Sequence, residues 1–79
     1  MEDGQGVVSL IVSGGVGDMT CFNSAFRVPH RKIIVIGESQ EIREFVSKSG
    51  IGASVDFMPA GTAPLPKSII IDATKYFAK

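Results

Sequence analysis

Cysteine and histidine are scarce in this sequence: Cys21 is the single thiol and His30 the single imidazole among 79 residues. One thiol excludes a disulfide framework and a multi-cysteine zinc site within the chain. One imidazole leaves no His/His or Cys/His cluster, so neither a metal nor another cofactor is expected. Surplus charge is missing too, because eight Lys and Arg offset eight Asp and Glu. Nucleic acids and anionic membranes attract proteins through excess Lys and Arg, so neither is expected as a partner. Long apolar runs are also lacking. The longest, Ile-Ile-Val-Ile at 33–36, falls far short of the roughly 20 residues of a spanning helix. The opening Met1-Glu2-Asp3-Gly4-Gln5-Gly6 is acidic and glycine-rich, without the basic start of a signal peptide. With no export signal and a lone thiol, a cytoplasmic location is the expectation.

What remains is apolar: 44% of the residues are hydrophobic, too many for an intrinsically disordered chain. The length suits one domain over residues 1–79, with a flexible start at 1–5. Residues 6–13, 32–36 and 68–72 are short, β-branched and nearly continuous in apolar character. That pattern predicts strands buried on both faces, hence a parallel or mixed sheet. Residues 53–58 alternate, with Ala53, Val55 and Phe57 on one face and Ser54 and Asp56 on the other, which predicts an edge strand. The clearest helix spans 40–49. Ser39 is placed to cap it, Glu41 and Lys48 suit its dipole, and Ile42, Phe45 and Val46 form one apolar stripe. Gly50 is placed to end it in the left-handed conformation.

Residues 18–28 fit either of two patterns. Met19, Phe22 and Phe26 share a helical face, whereas Phe22, Ser24, Phe26 and Val28 alternate as in a strand. Joining two parallel strands takes a crossover of a dozen residues or more, which favours a helix over 19–26 capped by Asp18. Asp72 is placed to cap a last helix over 73–79. Residues 59–67, with Pro59, Pro64 and Pro66, make a rigid loop, because proline has no amide to give a helix or central strand. The result is a small α/β sandwich: a three- to four-stranded, mostly parallel or mixed sheet with two to three short helices.

In open α/β sheets, ligands bind beyond the carboxyl ends of the strands. Those ends carry Gly14, Gly15, Gly17 and Asp18, then Glu38 and Ser39, then Asp72, and these seven are the candidate ligand-binding residues. No catalytic residue is assigned. Ser13-Gly14-Gly15-Val16-Gly17-Asp18-Met19-Thr20 resembles the phosphate loop of the partition and septum-site ATPases, which reads Lys-Gly-Gly-Val-Gly-Lys-Thr-Thr. Ser13 stands in place of that family's signature lysine, Asp18 in place of its catalytic lysine, and Met19 in place of its Mg-binding hydroxyl. A carboxylate where the phosphate lysine belongs repels a nucleotide, so the loop is expected to bind neither ATP nor GTP. The plainer reading is a glycine-rich turn between a strand and a capped helix. The acidic edge of Asp18, Glu38 and Asp72 resembles two-component receiver domains, with Asp72 as acceptor, but the acidic pair after the first strand is missing. The plainer reading makes Asp18 and Asp72 helix caps and Glu38 a solvated turn residue.

Cys21 lies where a helix start lowers a thiol pKa, but the plainer reading is a buried structural cysteine, with His30 an exposed loop residue. Arg27, His30, Arg31 and Lys32 form a small basic patch without interleaved aromatics, unlike a nucleic-acid surface. Buried-type strands outnumber the helices available to cover them, and about 80 residues is near the low end for a self-sufficient core. The leading expectation is therefore a non-enzymatic interaction module, either a homo-oligomer or a small subunit bound to a protein partner. The alternative is a regulatory domain that binds a small ligand or Mg²⁺ at the strand-end loops.

Overall fold

The computed structural model describes residues 6–15 and 17–77. The expected flexible start at 1–5 and the end of the last helix at 78–79 lie outside them. Four strands and three helices follow the order β1 (Val7–Ile11), α1 (Asp18–Arg27), β2 (Lys32–Ile36), α2 (Gln40–Ser49), β3 (Val55–Met58), β4 (Ile69–Asp72) and α3 (Ala73–Phe77). All four strands pair in parallel in the order β3-β2-β1-β4. The fold is a small α/β domain, as the composition and strand patterns imply. Residues 18–28 are helical, in line with the crossover requirement, and no helix among the described residues is long and apolar enough to cross a membrane.

Register sorts the strand residues into two faces. Val8, Ile33, Val55 and Ile69 lie side by side across the sheet, as do Leu10, Val35, Phe57 and Ile71. On this face α1 contributes Cys21, Phe22 and Ala25 and α2 contributes Ile42 and Val46 to one buried cluster with Val8, Leu10, Ile33, Val35 and Val55. Both helices sit on the same side because β1, β2 and β3 step in one direction and right-handed crossovers then share a face. The other face carries Val7, Ser9, Ile11, Ile34, Ile36, Asp56, Met58 and Ile70. Residues 59–68 return the chain from β3 to the far side of β1 without a regular helix, as the prolines imply. Their end is pinned by the Ser9 and Ser68 hydroxyls, 2.9 Å apart.

Several expectations need correction. The strand predicted over 68–72 is not buried on both faces. β4 is an edge strand, with Ile69 47% and Ile70 55% exposed. Its apolar run reads like that of β1, but position in the sheet decides burial, and among the described residues β4 has a neighbour on one side only. The predicted strand over 6–13 contracts to Val7–Ile11, because Gly6 turns at φ 78°. The strand predicted from residue 53 begins at Val55, because Gly52–Ser54 form a 3₁₀ turn and Ser54 donates both its amide and its hydroxyl to the Ile51 carbonyl. Ser68 stays out of β4 because its amide and hydroxyl both return to the Leu65 carbonyl.

α2 spans the predicted residues, but Ser39 caps it through its backbone alone. Its carbonyl accepts the Arg43 amide at 3.1 Å while its side chain makes no capping bond. Phe45 does not join Ile42 and Val46 in the buried stripe. It leans towards α1, edge-on to the Phe22 ring at 5.8 Å between centroids, and stays partly exposed. Phe26 is likewise exposed, lying between Phe22 and His30. Gly50 ends α2 at φ 71°, as read from the sequence. α1 starts one residue earlier than predicted, with Gly17 and not Asp18 at its cap position.

Two unfolding experiments check this packing. Ile42→Ala removes fully buried methyls and is expected to cost about 2–5 kcal/mol. Gln40→Ala, on the exposed side of the same helix, is expected to change stability by less than about 0.5 kcal/mol. Ser39→Ala should fall below the roughly 0.5–2 kcal/mol of a lost side-chain cap. A Cβ at Gly37 would lie 2.9 Å from the Val12 carbonyl oxygen at φ 113°, whereas one at Gly50 meets nothing within 4 Å. Gly37→Ala is therefore expected to be the more damaging of the two glycine substitutions in urea melts.

Candidate functional site

The carboxyl ends of β1, β2 and β3 are laced together by backbone. Val12 donates its amide to Ile36 at 3.0 Å, and Gly37 donates to Met58 at 2.9 Å. Gly37 is required there because the Val12 carbonyl passes where a side chain would begin. Beyond this lacing the glycine loop turns back over the strand ends, with Gly14 at φ 83°.

The loop is held by Asp18. Its carboxylate accepts the Ser13 amide at 3.1 Å on one oxygen and the Gly14 amide at 2.7 Å on the other. The Gly15 amide bonds the Ser13 hydroxyl at 3.3 Å. Asp18 is fully buried, and a buried carboxylate is tolerated only with such partners. It sits in the first turn of α1, where negative charge is favoured. Successive loop amides and a helix start form the cradle that binds phosphate in nucleotide-binding loops. Here the chain's own carboxylate fills that role for Ser13 and Gly14. The predicted capping function of Asp18 is corrected accordingly: it caps the loop, not the helix.

The other acids point to separate tasks. Asp72 accepts the Thr74 amide at 3.0 Å and also the Thr74 hydroxyl, capping α3 as the sequence implies. The exposed Glu38 carboxylate lies 3.5 Å from the Arg43 guanidinium. Among the described residues, no three His, Cys, Asp or Glu side chains group closely enough to hold a metal. The structure does bring Gly14, Gly15 and Ser39 together, with Gln40 and Glu41, around an open hollow of about 270 Å³. Gln40 and Glu41 were not among the candidates read from the sequence. Their place in the first turn of α2, directly beyond β2, was the available signal. Among the described residues no cation lines this hollow, and Glu41 adds negative charge at its margin, so it is poorly suited to phosphate. A second hollow, about 400 Å³, lies between α1 and α2 against Met19, Asn23, Glu44 and Phe45.

Cys21 is buried in the core against the sheet. Burial, and then the negative charges of Asp18 and Asp72, push its thiol above its ordinary value of 9.0. A nucleophilic cysteine needs the opposite shift, since the thiolate is the reactive form. His30, the lone imidazole, bonds the Val28 carbonyl through Nδ1 at 2.6 Å and packs on Phe26. Within the basic patch, Lys32 is paired with Asp56 at 3.0 Å.

The roles of Asp18 and Cys21 can each be tested directly. Asp18→Ala strands the Ser13 and Gly14 amides and is expected to destabilise the fold by about 2–4 kcal/mol in urea unfolding, while millimolar ATP or GTP should leave the wild-type melting temperature unchanged. Cys21 should react slowly with a thiol reagent in the native chain and quickly in denaturant. Because its folded pKa is raised, the unfolded thiol loses its proton first. Its contribution to stability is therefore full below about 9 and is lost as pH rises through the folded value, which melts recorded at increasing alkalinity would show.

The chain matches no family model, no curated protein and no solved structure.

Proposed function

We propose that this chain is a non-enzymatic interaction module that works as a homodimer or as a small subunit of a larger assembly. The observation that carries this reading is β4. Ile69 and Ile70 point to opposite faces of the sheet, yet 47% and 55% of their surfaces are exposed. α1 reaches β4, and Ile71 packs against the core, yet Ile69 and Ile70 stay open to solvent. Leu65, in the loop that leads into β4, adds further exposed apolar surface. Large apolar groups gathered at a margin mark an interaction site more often than scattered ones do. The polar groups that catalysis would recruit are instead engaged in holding the fold: Asp18 in the loop, Asp72 in a cap and Cys21 in the core.

A second reading, a regulatory domain that binds a small ligand, is favoured by the hollow between the glycine loop and the start of α2. Mg²⁺ or a small neutral metabolite that raises the melting temperature, with the gain abolished by Gly15→Trp, would support it.

Size measurement tests the leading reading. The chain, tagged and expressed at its native level in its own cells, is expected to run well above monomer mass in a gently prepared extract. A monomer in that extract, and again as purified protein at high concentration, would overturn the interaction reading.

A further inference from the structure

We infer that the hollow between the glycine loop and the start of α2 holds a small zwitterionic α-amino acid, its carboxylate on the helix start and its ammonium on Glu41. This rests on the ligand-binding reading and names the class of ligand. Ser39 is the residue that points to an occupant. It is only 3% exposed and it lines the hollow. A serine at a helix start ordinarily turns its hydroxyl onto an amide of the first turn. Here the side chain makes no capping bond, nor any other hydrogen bond within the described residues. Among those residues no fully enclosed side-chain oxygen lacks a partner. The Ser39 hydroxyl therefore opens outward, and the hollow is the opening that it lines.

Charge selects the ligand. Arg43 donates the first helical bond of α2, to the Ser39 carbonyl. The amides of Gln40 and Glu41 precede it and have no acceptor within the helix. With the Ser39 hydroxyl they gather donors at the positive end of the helix dipole, which suits a single carboxylate. The facing wall is bare backbone, since Gly14 and Gly15 bring no side chain. Its amides are already taken, by the Asp18 carboxylate and the Ser13 hydroxyl. Glu41 supplies the opposite charge. Glu38 is matched with Arg43 and Glu44 with Gln40, whereas the Glu41 carboxylate has no partner among the described residues. Glu41 lines this hollow and also the one between α1 and α2. A phosphate here would meet an unneutralised carboxylate, and a bare metal ion would meet the positive helix end. A molecule with an anionic and a cationic group a few atoms apart satisfies both.

Size and lining set the side chain of that amino acid. A hollow of about 270 Å³ is smaller than the roughly 300–1,000 Å³ that suits drug-sized ligands. Among the described residues no aromatic or aliphatic side chain lines it. Serine and glycine fit it, and a large apolar side chain finds nothing there to pack on. The hollow is open to solvent, so binding is weak, in the millimolar range.

An NMR titration of the full chain with L-serine tests this, followed at the backbone amides of Gly14, Gly15, Ser39, Gln40 and Glu41. These amides are expected to shift saturably with a millimolar midpoint. Serinamide lacks the carboxylate and N-acetylserine lacks the ammonium, and each is expected to bind about tenfold more weakly or not at all. Glu41→Gln should weaken serine about tenfold while leaving N-acetylserine as it was. Ser39→Ala should also weaken serine, with cooperative unfolding retained, because the fold does not use that hydroxyl. Serine and glycine that leave these amides unmoved, serinamide or N-acetylserine that binds as well as serine, or Glu41→Gln that binds serine as wild type does each overturns the inference. A serine response that survives Gly15→Trp puts the ligand elsewhere and overturns it too. Mg²⁺ or glycerol that shifts these amides where serine does not overturns the amino acid and leaves the ligand-binding reading standing. Amides that respond to none of the four overturn both.

Discussion

Every strand in this sheet runs parallel to its neighbours, and that constraint governs the rest of the molecule. A parallel pair cannot be closed by a tight turn, so each connection must travel back along the full length of the sheet. The chain meets this twice with a ten-residue helix, α1 and then α2. The third return, from β3 across to the far side of β1, is made by residues 59–68 with no helix at all. One face is consequently packed against two helices, while the third return has no helix to offer the other. Val7, Ser9 and Ile36 are still buried on that second face, while Ile70 and Met58 at its margins are not. The uneven covering follows directly from spending the chain on two helices and a loop.

The loop after β1 shows how close one local geometry lies to two opposite uses. Glycines, successive amides and a helix start are what a phosphate site needs. With aspartate at residue 18 the same features fold inwards, and two of the amides are bound to a carboxylate supplied by the chain. The site is an anion cradle whose anion is covalently part of the protein. Its rigidity in turn positions the start of α1, and with it Phe22, the largest fully buried side chain.

Much of this fold was legible because its signals are local. Residues 32–36 and 40–49 could be bounded from the sequence to the residue, since β-branched continuity and a 3.6-residue stripe ending in glycine leave few alternatives. The helix at 18–27 was reached by exclusion, from the length a parallel crossover requires. What could not be read was anything set by sheet order. Ile69-Ile70-Ile71 looks the same in sequence whether it lies at the centre or at the edge, because burial there depends on which strand lies alongside. Ser39 and Asp18 illustrate the same limit in the candidate site. Their types and positions identify them as cap-forming residues, but whether a side chain turns towards the helix or back to the loop is decided by three-dimensional closure.

The order β3-β2-β1-β4 also has a consequence for the chain as it is being made. The segment from β1 to β3 assembles from neighbours in sequence, each strand joining the one before it. β1 is the exception, because its second neighbour is β4, the last of the described strands: Val8 must wait for Ile69 and Leu10 for Ile71. During synthesis, therefore, the most deeply buried strand carries an unpaired side until β4 has been made, and contacts so distant in sequence are slow to form. The vulnerable moment in the life of this protein lies before β4 arrives, when Val7, Val8 and Leu10 are held in a sheet that is still one strand short.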